Sequence, residues 1–241
     1  PVACIDRPGL FQIALDWAVR SKKCTICYAN AHVLNIATQD KQLLSVLNQA
    51  ELVYADGISV VWAIHCLYNY EIEKLTARAW IHEFADQVAK RNLKIFLFGG
   101  MDRIGYLASQ HLMSMHPGLM IAGTAPGITP PDGNWDPLIA RINQAEPDIL
   151  FVGLGSPLQE EWIHQHRQDL HVPIVWAVGA LFDYLAGNEK PVPDWFEHLG
   201  FEWLWRLGND PRGKWARYIL GNPLFIWQVL LQKIKMIKGK V

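Results

Sequence analysis

The stretch Pro147-Asp-Ile-Leu-Phe-Val-Gly-Leu-Gly-Ser-Pro-Leu-Gln-Glu-Glu-Trp162 decides the fold. Its first part, Asp148 to Val152, is a short apolar run of the kind a strand shows when both its faces are buried. Gly153 and Gly155 then turn the chain, and Ser156-Pro-Leu-Gln159 has the form of a capping box with proline at the first helical position. A helix is predicted from Pro157 to Gln168 and a second apolar strand from Pro173 to Val178. Strand, helix and strand in about thirty residues form a crossover unit, which pairs its strands in parallel.

The same alternation extends toward the N-terminus. Helical patterns cover Gly9 to Ser21, Ala31 to Gln49, Ile58 to Tyr68, Trp80 to Arg91, Arg103 to Met115 and Trp135 to Gln144. Strand patterns cover Cys24 to Ala29, Glu51 to Ala55, Lys94 to Phe98 and Leu119 to Thr124. Residues 1–190 are therefore predicted to form an α/β core, a parallel sheet with crossover helices. Ligands of such sheets sit beyond the carboxyl ends of the strands. Four junctions are thus expected to border one crevice: Tyr28-Ala-Asn30, Ala55-Asp-Gly57, Gly99-Gly100 and Gly153-Leu-Gly-Ser156.

Residues 191–241 differ in character and are predicted to be a C-terminal helical appendage. They hold five of the 11 tryptophans, and from Pro211 onward seven basic residues and no acidic one. The whole 241-residue chain carries a formal charge of −1, so the rest balances at −8. That asymmetry suits a local anionic surface and offers no field for nucleic acid. A helix over Leu224 to Lys238 carries Trp and Lys beside many apolar residues. It reads either as interfacial on a membrane or as packed on the domain with its lysines in water. The uncharged run Tyr218 to Gln232 is 15 residues and contains Gly221 and Pro223, short of the roughly 20 that cross a bilayer. The chain starts at Pro1 rather than Met, so a short preceding piece is expected, and no secretory signal is read at its start. Four cysteines make no disulfide scaffold here. Cys24 and Cys27 lie in a predicted strand and read as buried thiols rather than as a metal or redox pair.

Each polar junction residue has a local and a chemical reading. Asp56 either caps the helix after it or acts as a general base at the crevice. Asn30 either caps the helix at Ala31 or binds a ligand hydroxyl. Ser156 and Gln159 are accounted for by the capping box, yet Gly153 and Gly155, like Gly99 and Gly100, let backbone approach a phosphate. Asp102 reads as a ribose contact or as a solvated loop residue. No Asp-x-Asp, Gly-x-Gly-x-x-Gly fingerprint, P-loop or zinc motif occurs. The nine histidines are scattered and read as surface or core positions.

The segments Tyr28-Ala-Asn-Ala-His-Val-Leu34, Ala55-Asp-Gly-Ile-Ser-Val-Val-Trp62 and Pro147 to Trp162 together resemble the WecG/TagA/CpsF glycosyltransferases. Val178 to Gly187, Glu202-Trp-Leu-Trp-Arg206 and Arg217-Tyr218 before Asn222-Pro223 continue the likeness along nearly the whole chain. The resemblance implies a compact Rossmann-like core with a C-terminal helical appendage, and inverting transfer of an N-acetylmannosamine-type sugar or another hexose. The donor would be a UDP-sugar and the acceptor a polyprenyl-diphosphate-linked sugar, with neither cofactor nor metal. It implies Asp56 as general base, with substrate bound by Asn30, Tyr28, Lys74 and Gln159. It further implies diphosphate contacts from Arg206, Arg212 and Arg217 in an appendage docked on the membrane. The expected location is the cytoplasmic face of a bacterial plasma membrane, and the reading leaves room for a homo-oligomer. Tyr28 stands where the family usually has Thr, Lys74 where it has Arg, Ala77-Arg-Ala79 where it has Gly-x-Asp, and Pro191-Val-Pro193 where it has Arg-Ala-Pro. These departures bear on donor and acceptor choice. They also keep two alternatives in view: another Rossmann-type nucleotide enzyme, and a membrane-associated relative without activity.

Overall fold

The structure, a computed structural model, describes residues 2–188, 192–193, 196 and 200–239. The boundary placed after residue 190 lies outside the described residues, as do Pro1, Pro191, Trp195 and Lys240.

Six strands form one parallel sheet: β1 (Cys24–Ala29), β2 (Leu52–Ala55), β3 (Lys94–Gly99), β4 (Met120–Ala125), β5 (Ile149–Gly153) and β6 (Ile174–Ala177). Their spatial order is β2-β1-β6-β5-β3-β4. β1, β2 and β6 are buried along their whole length, which is why they read as unbroken apolar runs rather than alternating ones. Helices cover both faces: α1 (Arg7–Val19), α2 (Ala31–Ala37), α3 (Lys41–Gln49), α4 (Ile58–Tyr68), α5 (Ala77–Ala89), α6 (Ile104–Met115), α7 (Asp136–Ala145), α8 (Leu158–His166) and the short α9 (Leu181–Leu185). An aromatic cluster fills the space under β5 and β6. Trp80 and Trp176 stack with ring centroids 4.7 Å apart, and Phe84 and Phe151 meet Trp176 edge-on.

Two local predictions are corrected. The helix expected from Ala31 to Gln49 is two helices. Asp40 breaks it by capping α3, accepting from the backbone N–H groups of Gln42 and Leu43 at 2.8 and 3.0 Å. The capping box at Ser156 does not form either, because the Ser156 hydroxyl donates instead to the Glu160 carboxylate at 2.8 Å. Cys24 and Cys27 are buried free thiols.

The chain ends in α10 (Glu202–Asn209), α11 (Pro211–Trp215), a π-helical turn at Ala216–Leu220 and α12 (Gly221–Ile237). α12 starts three residues earlier than its sequence pattern suggests. Pro223 closely follows the π-helical turn, where the regular helical hydrogen-bond ladder is already interrupted. Phe225 and Val229 pack with Ala31, Ala55, Val60 and Ala63 in a second small core against α2 and α4. The Asn35 amide donates to the Gly221 carbonyl at 2.7 Å. The opposite side of α12 exposes Trp227, Ile234 and Ile237. Among the described residues, no helix is long and apolar enough to cross a membrane.

Candidate active site

Strand register builds the site. β1 and β2 align Tyr28 with Tyr54 and Ala29 with Ala55, so the next residues, Asn30 and Asp56, emerge side by side at the carboxyl edge. The Asp56 backbone N–H continues the ladder by donating to Ala29 O at 2.9 Å. Gly57 then takes φ +104°, a left-handed conformation that glycine tolerates and other residues rarely adopt. That turn makes Gly57, not Asp56, the residue preceding α4, and no side chain caps this helix. The carboxylate of Asp56 is left to face the cleft. Asn30 caps α2, its oxygen accepting from Val33 N–H at 3.0 Å, and its amide nitrogen donates to Asp56 Oδ2 at 3.3 Å.

The cleft has two lobes that share Asn30, Asp56, Thr76, Arg206 and Arg217. The inner lobe holds about 570 Å³ of open space over the ends of β1, β2 and β6, bordered by Tyr28, Tyr54, Arg78, Gly179 and Tyr184. The outer lobe, about 660 Å³, opens toward the C-terminal helices and is bordered by His32, Glu202, Trp203, Tyr218 and Asn222. Trp203 and Tyr218 form an aromatic wall, their ring centroids 6.3 Å apart. Asp56 thus stands where the lobes meet. Burial pushes its carboxyl above the ordinary value of 3.8, opposed by the Asn30 hydrogen bond and by the Arg206 and Arg217 cations. The carboxyl is thus shifted toward its neutral form while two cations oppose that shift.

Gln159 lies deeper. It is fully buried. Its amide nitrogen donates to the Tyr28 hydroxyl at 3.1 Å, to Ser156 Oγ at 3.2 Å and to Glu160 Oε1 at 2.7 Å. Its oxygen accepts from Gly179 N–H at 3.0 Å. The residue expected to contact substrate therefore reaches the cleft through Tyr28 and the Gly179 turn. Burial raises the Tyr28 phenol far above its usual range, which keeps it a neutral hydrogen-bonding group.

The four predicted junctions do not share one crevice. Gly99 and Gly153 belong to β3 and β5, on the far side of β6, and neither they nor Gly100 and Gly155 line the Asp56 cleft. Two backbones touch there instead: a Cβ on Gly99 would lie 2.3 Å from Gly153 O, and one on Gly153 would lie 2.8 Å from Gly179 O. Asp102 is exposed in the turn before α6 and Arg212 is exposed on α11, both outside the cleft lining. Lys74 pairs with Glu202, and Arg78 Nη2 meets the other oxygen of Glu202 at 2.6 Å.

Several lining residues escaped sequence reasoning. Thr76, at the N-terminus of α5, borders both lobes, and its hydroxyl is buried without a hydrogen-bond partner. His32 lines the outer lobe, and burial followed by the Arg217 charge lowers its pKa, so it is neutral at pH 7. Its place two residues after Asn30 was the available signal. Another histidine group lies away from the cleft, where His116 bridges Asp86 and His82 at 2.6 and 3.0 Å. Among the described residues, no group of three or more His, Cys, Asp or Glu is arranged to hold a metal ion.

A family model described as "Glycosyl transferase WecG/TagA/CpsF family" matches residues 1–239. Relatives from Staphylococcus aureus strains MRSA252 and MW2 are each named N-acetylglucosaminyldiphosphoundecaprenol N-acetyl-beta-D-mannosaminyltransferase. Each is 30% identical over 217 residues, spanning 89% of this chain and 83% of the relative.

Proposed function

The chain belongs to the WecG/TagA/CpsF family of glycosyltransferases, and from that premise we propose that it transfers an N-acetylmannosamine-type sugar or related hexose from UDP to a polyprenyl-diphosphate-linked N-acetylglucosamine. The observation that carries the reading is the position of Asp56 where the two lobes of the cleft meet. The inner lobe, over the strand ends, suits the sugar nucleotide. The outer lobe suits the acceptor, with the Trp203 and Tyr218 rings as a surface for a saccharide.

In this scheme Asp56 takes the proton of the acceptor hydroxyl as that oxygen bonds to the anomeric carbon. The bond from the anomeric carbon to the diphosphate breaks on the opposite side, inverting the centre and releasing UDP. Arg206 and Arg217, with the N–H groups at the start of α5 beside Thr76, meet the charge that develops on the diphosphate. Those cations let the reaction run without a metal, so a chelator leaves turnover unchanged. Gln159 acts by positioning Tyr28 and Gly179. Lys74 and Arg212 take no direct part in this scheme, and neither do Gly99, Gly100, Gly153, Gly155 or Asp102.

A lipid-linked acceptor also gives the C-terminal helices a use. α12 turns Phe225 and Val229 inward and Trp227, Ile234 and Ile237 outward, next to Lys235 and Lys238. An apolar face rimmed by lysines suits the surface of an anionic bilayer, and peripheral attachment there would bring the outer lobe to its substrate. The deciding experiment incubates UDP-N-acetylmannosamine with a polyprenyl-diphosphate N-acetylglucosamine and compares the native protein with Asp56→Asn. Loss of roughly 10²–10⁴ in turnover is expected for a missing general base. Full activity in the variant would remove Asp56 from the mechanism.

A further inference from the structure

We propose that Glu202 is a positioning residue: gripped by Lys74 and Arg78, it holds α10 over the cleft so that Arg206 faces Asp56. The inference rests on the reading of Asp56 as the base.

α10 is eight residues long and none of them is fully buried. Leu204, one of its large apolar side chains, is 46% exposed. Apolar contact anchors this helix in part, Trp203 against Tyr218 and Trp205 against Phe196. Charge adds a second anchor. Lys74 and Arg78 come from the entry to α5 and its first turn, and they meet the two oxygens of Glu202 separately. All three side chains are largely withdrawn from water, with exposures of 20%, 11% and 17% for Lys74, Arg78 and Glu202. Partly desolvated pairs of this kind depend on all partners, because removing one leaves buried charge uncompensated.

Glu202 and Arg206 are one helical turn apart and therefore on the same face of α10, and both border the cleft. Whatever fixes Glu202 fixes the position from which Arg206 reaches Asp56. The groups facing Asp56 are Asn30 from α2, Arg206 and Glu202 from α10 and Arg217 from the π-helical turn. The Tyr28 and Tyr54 phenols of β1 and β2 stay neutral, burial holding both far above their usual range. Arg206 and Arg217 favour the ionised base and Glu202 opposes it. With Lys74 and Arg78 neutralising Glu202, the cations prevail. This also explains why the lysine at position 74 lies outside the cleft lining: its ammonium is engaged by the appendage.

The test compares Glu202→Gln, Glu202→Asp, Arg206→Gln and the double variant Glu202→Gln/Arg206→Gln with the native protein. Asp56→Asn is run in parallel, all with the donor and lipid acceptor named above. Glu202→Gln is expected to lower kcat by roughly tenfold to a hundredfold, the scale of a misplaced catalytic geometry. It is also expected to move the acid limb of kcat/KM to higher pH as Arg206 withdraws from Asp56. Glu202→Asp restores part of both effects. In the Arg206→Gln background the Glu202→Gln change lowers kcat no further, since both act on kcat through the same cation, and the lost Glu202 charge there moves the acid limb to lower pH. The proposal is overturned if Glu202→Gln keeps native kcat and pH profile while Asp56→Asn is inactive, or if the two effects multiply. Activity in Asp56→Asn would instead remove the base assignment on which the proposal stands.

Discussion

The Asn30 side chain divides its amide between two tasks: its oxygen caps α2 through Val33 N–H, and its nitrogen holds Asp56 Oδ2 at 3.3 Å. The sequence offers a helix cap or a ligand contact at this position; the cap forms, and the amide nitrogen left over goes to the cleft carboxylate. Asn30→Ala is expected to cost about 1 kcal/mol through the lost cap. It also removes the first-ranked influence that lowers the Asp56 pKa, so the acid limb of kcat/KM moves to higher pH. Asn30→Asp keeps a capping oxygen but sets a second carboxylate beside the first, and moves the limb further. Identical pH profiles in all three proteins would dissociate Asn30 from the base.

Asp56 also makes the protein's stability depend on pH. Burial raises its carboxyl above the ordinary 3.8, so the folded state prefers the protonated acid. That preference stabilises the fold below the unfolded value and is lost as pH rises through the raised folded value. At pH 7 the ionised carboxylate is then a net cost, which Asp56→Asn removes. Melting curves at pH 4 and pH 7 should show the variant gaining on the native protein as pH rises, while its turnover collapses. A deficit of equal size at both pH values would mean that burial does not govern this group.

Gln159 shows the opposite balance, structural first and chemical at one remove. Gln159→Ala leaves Gly179 N–H without its acceptor and the Tyr28 hydroxyl without its donor. An unsatisfied buried group costs roughly 1–3 kcal/mol, and each kcal/mol lowers Tm by roughly 2–4 °C in a chain of this size. Tyr28 and Gly179 both border the inner lobe, so KM for the sugar nucleotide should rise several-fold. Gln159→Glu can still accept from Gly179 N–H but sets a second carboxyl against the buried Glu160, so it is expected to be destabilised as well. A variant that melts lower but keeps native KM would leave Gln159 with a purely structural role.

The strands were legible in the sequence as short apolar runs, largely buried on both faces in all but β4, and Cys24–Ala29 needed no adjustment. Asn30 and Asp56 were legible as strand-end residues for the same reason. Strand order was not, since periodicity within a segment says nothing about its neighbours. β6 inserts between β1 and β5, so the end of β6, with Gly179, borders Asp56, and the Gly99 and Gly153 turns fall on the other side. The break at Asp40 was visible as a capping residue, but the helical period runs through it and masked it. Glu202, Thr76 and Trp203 join the site only through contacts between distant segments, 124 residues apart for Arg78 and Glu202. Spacing along the chain carries no trace of such contacts.

The two readings of the C-terminal helix, packed or interfacial, correspond to two faces, and among the described residues only one of them has a partner within the chain. Trp227 is 60% exposed, whereas Phe225 and Val229 carry the packing against α2 and α4. Trp227→Glu should therefore leave Tm within about 1 °C, as expected of an exposed position away from the core. On the proposed membrane-facing side the same change removes an aromatic ring and adds a negative charge. Sedimentation with phosphatidylglycerol vesicles at low salt should show binding weakened at least several-fold. Raising the salt to 0.5 M should weaken the native protein too, since screening shortens the reach of Lys235 and Lys238. Turnover of a short-chain, water-soluble acceptor should stay near native in the variant while turnover of the vesicle-borne acceptor falls. If vesicle binding and vesicle-borne turnover are both unchanged, the exposed face of α12 is not what meets the membrane.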